Sequence, residues 1–144
     1  MQTISDYMLA DHRRCDDLFA AAEAAAANND PAAAQAEFAA FHQGMRHHLG
    51  MEETILFPAF EQATGSNMGP TRIMRMEHEQ MRELFAQMQA ALDARDTSTY
   101  AGLAETLLIL MQQHNMKEEL MLYPMADRAL QERDSLIRQM EAMP

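Results

Sequence analysis

The sequence predicts an all-α domain, an antiparallel up-down four-helix bundle built from two pseudo-symmetric helical hairpins. Three observations carry this expectation. Ala, Met, Leu, Glu and Gln are plentiful, Gly and Pro number five each, and β-branched residues are scarce; such a mixture favours helix through backbone and side-chain entropy. Turn signals fall so that they leave four long helical stretches. Finally, the chain repeats itself: residues 1–66 lie over residues 67–132 without a gap. Two hairpins that each bury one apolar face make a closed bundle, whereas a solenoid needs three or more units.

The elements follow in order. The first helix is expected from about Ser5 to Ala27, ended by Asn28-Asn29-Asp30-Pro31. Asp30 as N-cap and Pro31 at the first helical position start the second, which runs toward Gln62 and breaks at Thr64-Gly65-Ser66-Asn67 and Gly69-Pro70. The third covers about Thr71 to Ala94. Asp96, Thr97 and Ser98 offer caps for the fourth, which passes Pro124, with a short C-terminal helix toward Met140. Stretches of about 24 residues would be about 36 Å long, suited to a bundle with short connections.

Composition narrows the function. The 144 residues suit one domain, 1–144, with a proper core. A formal charge of −11, with one Lys and ten dispersed Arg, argues against nucleic acid and against an anionic membrane surface. No apolar run approaches the roughly 20 residues of a membrane span. The start, MQTISDYMLADHRR, lacks the pattern of a signal peptide. Cys15 is the single cysteine, so neither an intrachain disulfide nor a thiolate cluster is available. A reducing cytoplasm is the expected setting.

The repeat also selects residues. Asp11-His12 lies over Glu77-His78, and the stretch from His48 through Glu52-Glu53 to Leu56-Phe57-Pro58 lies over His114 through Glu118-Glu119 to Leu122-Tyr123-Pro124. On the first helix Met8, His12, Cys15 and Phe19 share a seam, matched on the third by Met74, His78, Met81 and Phe85. The second helix carries Phe41, Met45, His48, Glu52 and Ile55; the fourth carries Leu107, Met111, His114, Glu118 and Met121. These spacings face a bundle core.

Four imidazoles and two carboxylates thus occupy positions that packing alone would give to Leu. An uncompensated buried carboxylate costs several kcal/mol. His and Glu four apart lie about 40° apart on a helix, so both can reach one metal centre. A lone core His, or a lone His-x-x-x-Glu, is ordinarily a hydrogen-bonded polar group. Two such pairs and two further histidines in one register point instead to a dinuclear metal site on His12, His48, Glu52, His78, His114 and Glu118. A metal-free polar network in the core is the alternative.

These motifs resemble the hemerythrin-like, or HHE, cation-binding family, in which His, His-x-x-x-Glu, His and a closing His-x-x-x-Glu or His-x-x-x-x-Asp supply a carboxylate-bridged di-iron centre. The Leu-Phe-Pro and Leu-Tyr-Pro after each Glu-Glu are similar as well, and the likeness spans about residues 8 to 128. The resemblance implies two Fe ions, one on His12 and His48 and the other on His78 and His114, bridged by Glu52, Glu118 and an oxo or hydroxo group. Manganese or zinc also suits imidazole and carboxylate donors. The ferritin-type signature, Glu-x-x-His, is missing: Leu9, Met45, Arg75 and Met111 stand three before the histidines.

The chain departs from the oxygen carriers of that family, which place another His where Arg82 stands and an Asp where Glu119 stands. Four protein ligands and a bridge leave at least one exchangeable position per iron. The expected function is therefore a non-haem di-iron protein that binds O2 or another small ligand, or stores or senses iron. The alternative is a di-iron oxidoreductase acting on peroxide or nitric oxide, or a donor of iron for repair of damaged iron centres. His42 and His47 lack repeat partners and are expected off the site. Glu53 and Glu119 are expected to hydrogen-bond ligand histidines or Arg, Cys15 to sit in the core, and the seam methionines to fill irregular gaps.

Overall fold

The computed structural model describes residues 2–144. Helix α1 (Ile4–Ala27) and helix α2 (Pro31–Met51) form the first hairpin, and α2 runs on through a π-helical turn, Glu52–Leu56, into α3 (Phe57–Thr64). Helices α4 (Pro70–Asp93) and α5 (Thr97–Lys117) form the second, and α5 passes through a matching π-helical turn, Glu118–Leu122, into α6 (Tyr123–Ala129). The tail is α7 (Arg133–Glu141). Both α1 and α4 pack against α2 and α5, which closes the four rods into the expected bundle. No strand occurs among the described residues.

Local chemistry explains the boundaries. Thr3 caps α1 in a capping box with Asp6, and Asp30 accepts from the Ala33 N–H at 3.1 Å ahead of Pro31. Asp96 does the same for α5 through Thr99 at 3.0 Å. These side chains satisfy N–H groups that the first helical turn leaves without partners. The repeat extends into the loops: Asn29 and Arg95, 66 positions apart, both take positive φ, 52° and 57°.

One expectation fails in both halves. Uniform α-helical spacing places Ile55 and Met121 on the seam, yet Ile55 is only partly buried and Met121 is 59% exposed. Leu56 and Leu122 are buried instead. The cause is the π-helical turn, where the N–H of Phe57 reaches the carbonyl of Glu52 and that of Tyr123 the carbonyl of Glu118. Pro58 and Pro124 follow directly; a proline ring clashes with the carbonyl four residues back, and a turn widened by one residue relieves the clash. Every side chain beyond each ligand-type glutamate is thereby moved on by one position.

Two apolar clusters fill the bundle. One contains Phe19, Phe38, Phe41, Phe85, Tyr100 and Leu107. The other contains Ile4, Met8, Leu56, Phe57, Met74 and Tyr123, closed by Ile137 and Met140 of α7. Along α1 the passage from one to the other is Met8, His12, Cys15, and along α4 it is Met74, His78, Met81. The polar layer lies between.

Candidate metal centre

All six residues singled out in the sequence meet in that layer. His12, His48, Glu52, His78, His114 and Glu118 are each at most 3% exposed. The donor atoms form two groups, one of Glu52, His78, His114 and Glu118, the other of His12, His48 and Glu118. In the first, His78 Nε2 lies 3.1 Å from Glu52 Oε1 and His114 Nε2 lies 3.2 Å from Glu118 Oε1. In the second, His12 Nε2 lies 3.1 Å from Glu118 Oε1, and Glu52 joins through His48 Nε2 at 3.5 Å. Both glutamates therefore stand between the two histidine pairs.

The opposite edge of every imidazole meets a carboxylate. Nδ1 of His12 bonds Glu119 at 2.7 Å, that of His48 bonds Asp11 at 2.7 Å, that of His78 bonds Glu53 at 2.8 Å and that of His114 bonds Glu77 at 2.8 Å. An Nδ1–H held in this way turns the Nε2 lone pair inward and fixes the ring. The pattern obeys the repeat: Asp11 and Glu77 each precede one histidine and grip another on the neighbouring helix. Three of the four carboxylates are themselves held, Asp11 by Arg14, Glu53 by Arg82 and Glu77 by Lys117.

This geometry leaves polar atoms without partners. His48 Nε2, His78 Nε2, His114 Nε2, Glu52 Oε1 and Glu118 Oε2 are buried and make no hydrogen bond. Buried groups of this kind are rare in folded proteins. Lone pairs facing carboxylate oxygens across about 3 Å are what a cation would resolve, so the residues fit a bound metal.

In the absence of a cation, protons must serve. Burial works against charging His12, but hydrogen bonding and charge from Glu118, with Glu52 and Glu119 adding, raise it to about 9. His78 is likewise raised to about 9, its burial outweighed by Glu52 and Glu53. Burial and the neighbouring Glu118 carboxylate push Glu52 up. For Glu118 burial is overcome by His114, Glu52 and His12, which hold it well below the usual range. The carboxylate pair thus keeps a proton, because two adjacent buried carboxylates cannot both ionise cheaply.

Tyr123 is the member of the site that α-helical spacing hides. Its hydroxyl, fully buried, donates to Glu52 Oε2 at 2.6 Å and lies 3.0 Å from Glu118 Oε1 and 3.1 Å from His12 Nε2. Burial and both carboxylates push the phenol well above its usual range. Its counterpart Phe57 stacks on His78, ring centres 5.6 Å apart, with the Arg75 guanidinium over the Phe57 ring at 5.4 Å. The two prolines, and the Phe-to-Tyr exchange just before them, were the available signals. The roles of Asp11 and Glu77 were visible only as an acidic residue before each of two histidines.

The expectations for the side chains around the site hold. Glu53 bonds both His78 and Arg82, and Glu119 bonds His12. His47 bonds the Met143 carbonyl at 3.1 Å, and His42 packs between Phe38 and Phe85. Cys15 is buried, and burial raises its thiol to about 12. Met74 and Met81 lie in the core while Met76 is on the surface.

A helical bundle whose core holds a histidine and carboxylate cluster with inward lone pairs belongs to the class of cation-binding bundle proteins. The chain matches the family model of the hemerythrin HHE cation binding domain over residues 3–126, and it belongs to that family. No curated protein and no solved structure matches it. No helix among the described residues is long and apolar enough to cross a membrane.

Proposed function

We propose that this protein is a non-haem di-iron protein that binds a small ligand such as O2 or nitric oxide, or stores or senses iron, in a cytoplasmic setting. His12 and His48 would hold one iron, His78 and His114 the other, and Glu52 and Glu118 would bridge them. The observation that carries this reading is the set of four inward Nε2 atoms, each backed by a carboxylate on Nδ1. Such a set is prepared for cations before any arrives, since the rings are already oriented.

Bound iron would supply ligand binding at exchangeable positions and electron transfer between ferrous and ferric states. The chain's own part is positional. Glu52 and Glu118 offer anionic oxygens to both halves, the outer carboxylates hold the imidazole rings aligned with Nε2 inward, and the two apolar clusters keep bulk water from the layer. Mixed nitrogen and oxygen donors accept manganese and zinc too, so iron rests on family membership. An oxidoreductase acting on peroxide or nitric oxide, or an iron donor for repair of damaged centres, is the second reading; the exchangeable positions favour it.

Metal analysis of protein purified in air, with optical spectra before and after azide, tests the proposal. About two irons per chain and bands that shift on azide are expected. No bound metal, together with unchanged stability in His48→Ala, would sink it, because removing a ligand should cost both binding and folding energy. Turnover of peroxide against a reversible air-driven colour change separates the two readings.

A further inference from the structure

The rings at residues 57 and 123 differ by one oxygen atom. The repeat and the π-helical turns bring residues 57 and 123 to equivalent places, each ring beside a histidine: Phe57 on His78 and Tyr123 on His12, the latter with ring centres 5.5 Å apart. Phe57 shows that a plain ring suffices for packing there. Tyr123 adds an oxygen, and that oxygen is aimed at donor atoms rather than at solvent or backbone.

Three donor atoms surround it at 2.6, 3.0 and 3.1 Å: Glu52 Oε2, Glu118 Oε1 and His12 Nε2. A phenol has one hydrogen, and Glu52 takes it at the shortest distance. The other two approaches bring the phenol oxygen against a carboxylate oxygen and against the Nε2 edge of His12, whose Nδ1 is held by Glu119. Adjacent ligands of one octahedral metal, with bonds of about 2.1 Å, stand about 3.0 Å apart. The spacings from the Tyr123 oxygen to Glu118 and His12 match those of neighbouring ligands, and the shorter one to Glu52 is a hydrogen bond.

We propose that Tyr123 is a further protein ligand, its phenolate oxygen bound to the metal of His12 and His48. The proposal rests on the di-iron reading above. As ferric iron binds, the phenol O–H bond breaks and an oxygen lone pair forms the iron–oxygen bond. The phenol proton and the proton held by the Glu52–Glu118 pair both leave to solvent as the metal takes the phenolate and the carboxylates; no electron is transferred. Tyrosine is an established protein donor to ferric iron. The His78 and His114 metal has no such donor beside it, only the ring of Phe57. The two irons are therefore inequivalent, and the exchangeable position lies on the Phe57 side.

The test uses the full chain loaded with ferric iron. The expected result is a visible phenolate-to-iron charge-transfer band whose excitation enhances tyrosine ring modes in resonance Raman, shifted when ring-deuterated tyrosine is incorporated. Tyr123→Phe should abolish band and ring modes while two irons remain, since Phe57 shows that the position accepts the ring; Tyr100→Phe, in the other apolar cluster, should leave both unchanged. Two bound irons without the ring modes in the unaltered chain would overturn this proposal alone, whatever the variant does. Ring modes that survive Tyr123→Phe would overturn it equally. A chain that takes up no iron would overturn both it and the reading beneath it.

Discussion

Arg82 grips Glu53 with Nη2 at 2.6 Å from Oε1, and the other oxygen of the same carboxylate accepts from His78 Nδ1 at 2.8 Å. A surface guanidinium is thereby linked, through one carboxylate, to a ligand-type imidazole in the core. Burial would raise Glu53, but the hydrogen bonds from His78 and Arg82 prevail and lower it to about 2. Arg82 stands where the oxygen carriers of the family place a further histidine. Its work here is to anchor a ring from outside.

Glu53→Gln is expected to weaken metal binding about 10- to 100-fold, the usual scale for losing such a partner. Arg82→Ala should weaken it less, because Glu53 stays in place with only its anchor gone. Competition with a chelator of known affinity measures both. An Arg82→Ala effect larger than that of Glu53→Gln would refute the chain of contacts.

Stability of the metal-free chain should fall toward alkaline pH. His12 and His78 are raised from 6.5 to about 9 in the folded state, so the folded chain holds protons that the unfolded one has released. Their contribution is complete below about pH 6.5 and disappears as pH rises through about 9. Glu53, lowered from 4.5 to about 2, acts at the other end: its contribution is present above about 4.5 and lost as pH falls through about 2. With iron on the Nε2 atoms the alkaline loss should vanish. Urea midpoints at pH 6, 7.5 and 9, with and without iron, check this; parallel curves would count against it.

Asp127 ties α6 to the start of α1. It accepts from the Ile4 N–H at 2.8 Å, the Ser5 N–H at 3.2 Å and the Ser5 hydroxyl at 2.7 Å. Those N–H groups have no partner within α1, and a carboxylate there also opposes the helix dipole. Asp127→Ala should cost about 1–2 kcal/mol in urea unfolding, with the optical spectrum of the iron-loaded protein unchanged.

Arg95 carries strain that its counterpart avoids. At φ 57° it occupies the left-handed region, which costs most residues about 1–2 kcal/mol but suits Asn. Asn29 already fills the equivalent place in the first hairpin at φ 52°. Arg95→Asn should stabilise the protein by roughly 1 kcal/mol, read as a higher urea midpoint with the same slope.

The sequence alone determined the bundle, its hairpins and the six inward residues. Each rests on local chemistry that period and repeat record directly: caps at Asp30 and Asp96, seams at three- and four-residue spacing, and polar groups where apolar ones belong. Tertiary structure alone decided the rest. Tyr123 enters the site because a π-helical turn ahead of Pro124 rotates it inward, five residues after Glu118, where regular helical spacing would turn it away. Asp11 and Glu77 act on histidines 37 positions ahead of them in the chain, across a helix pair, and no periodicity within one helix encodes that reach. The difference between Tyr123 and Phe57 was legible as two letters, but its meaning depended on three donor atoms from three separate rods meeting around one oxygen.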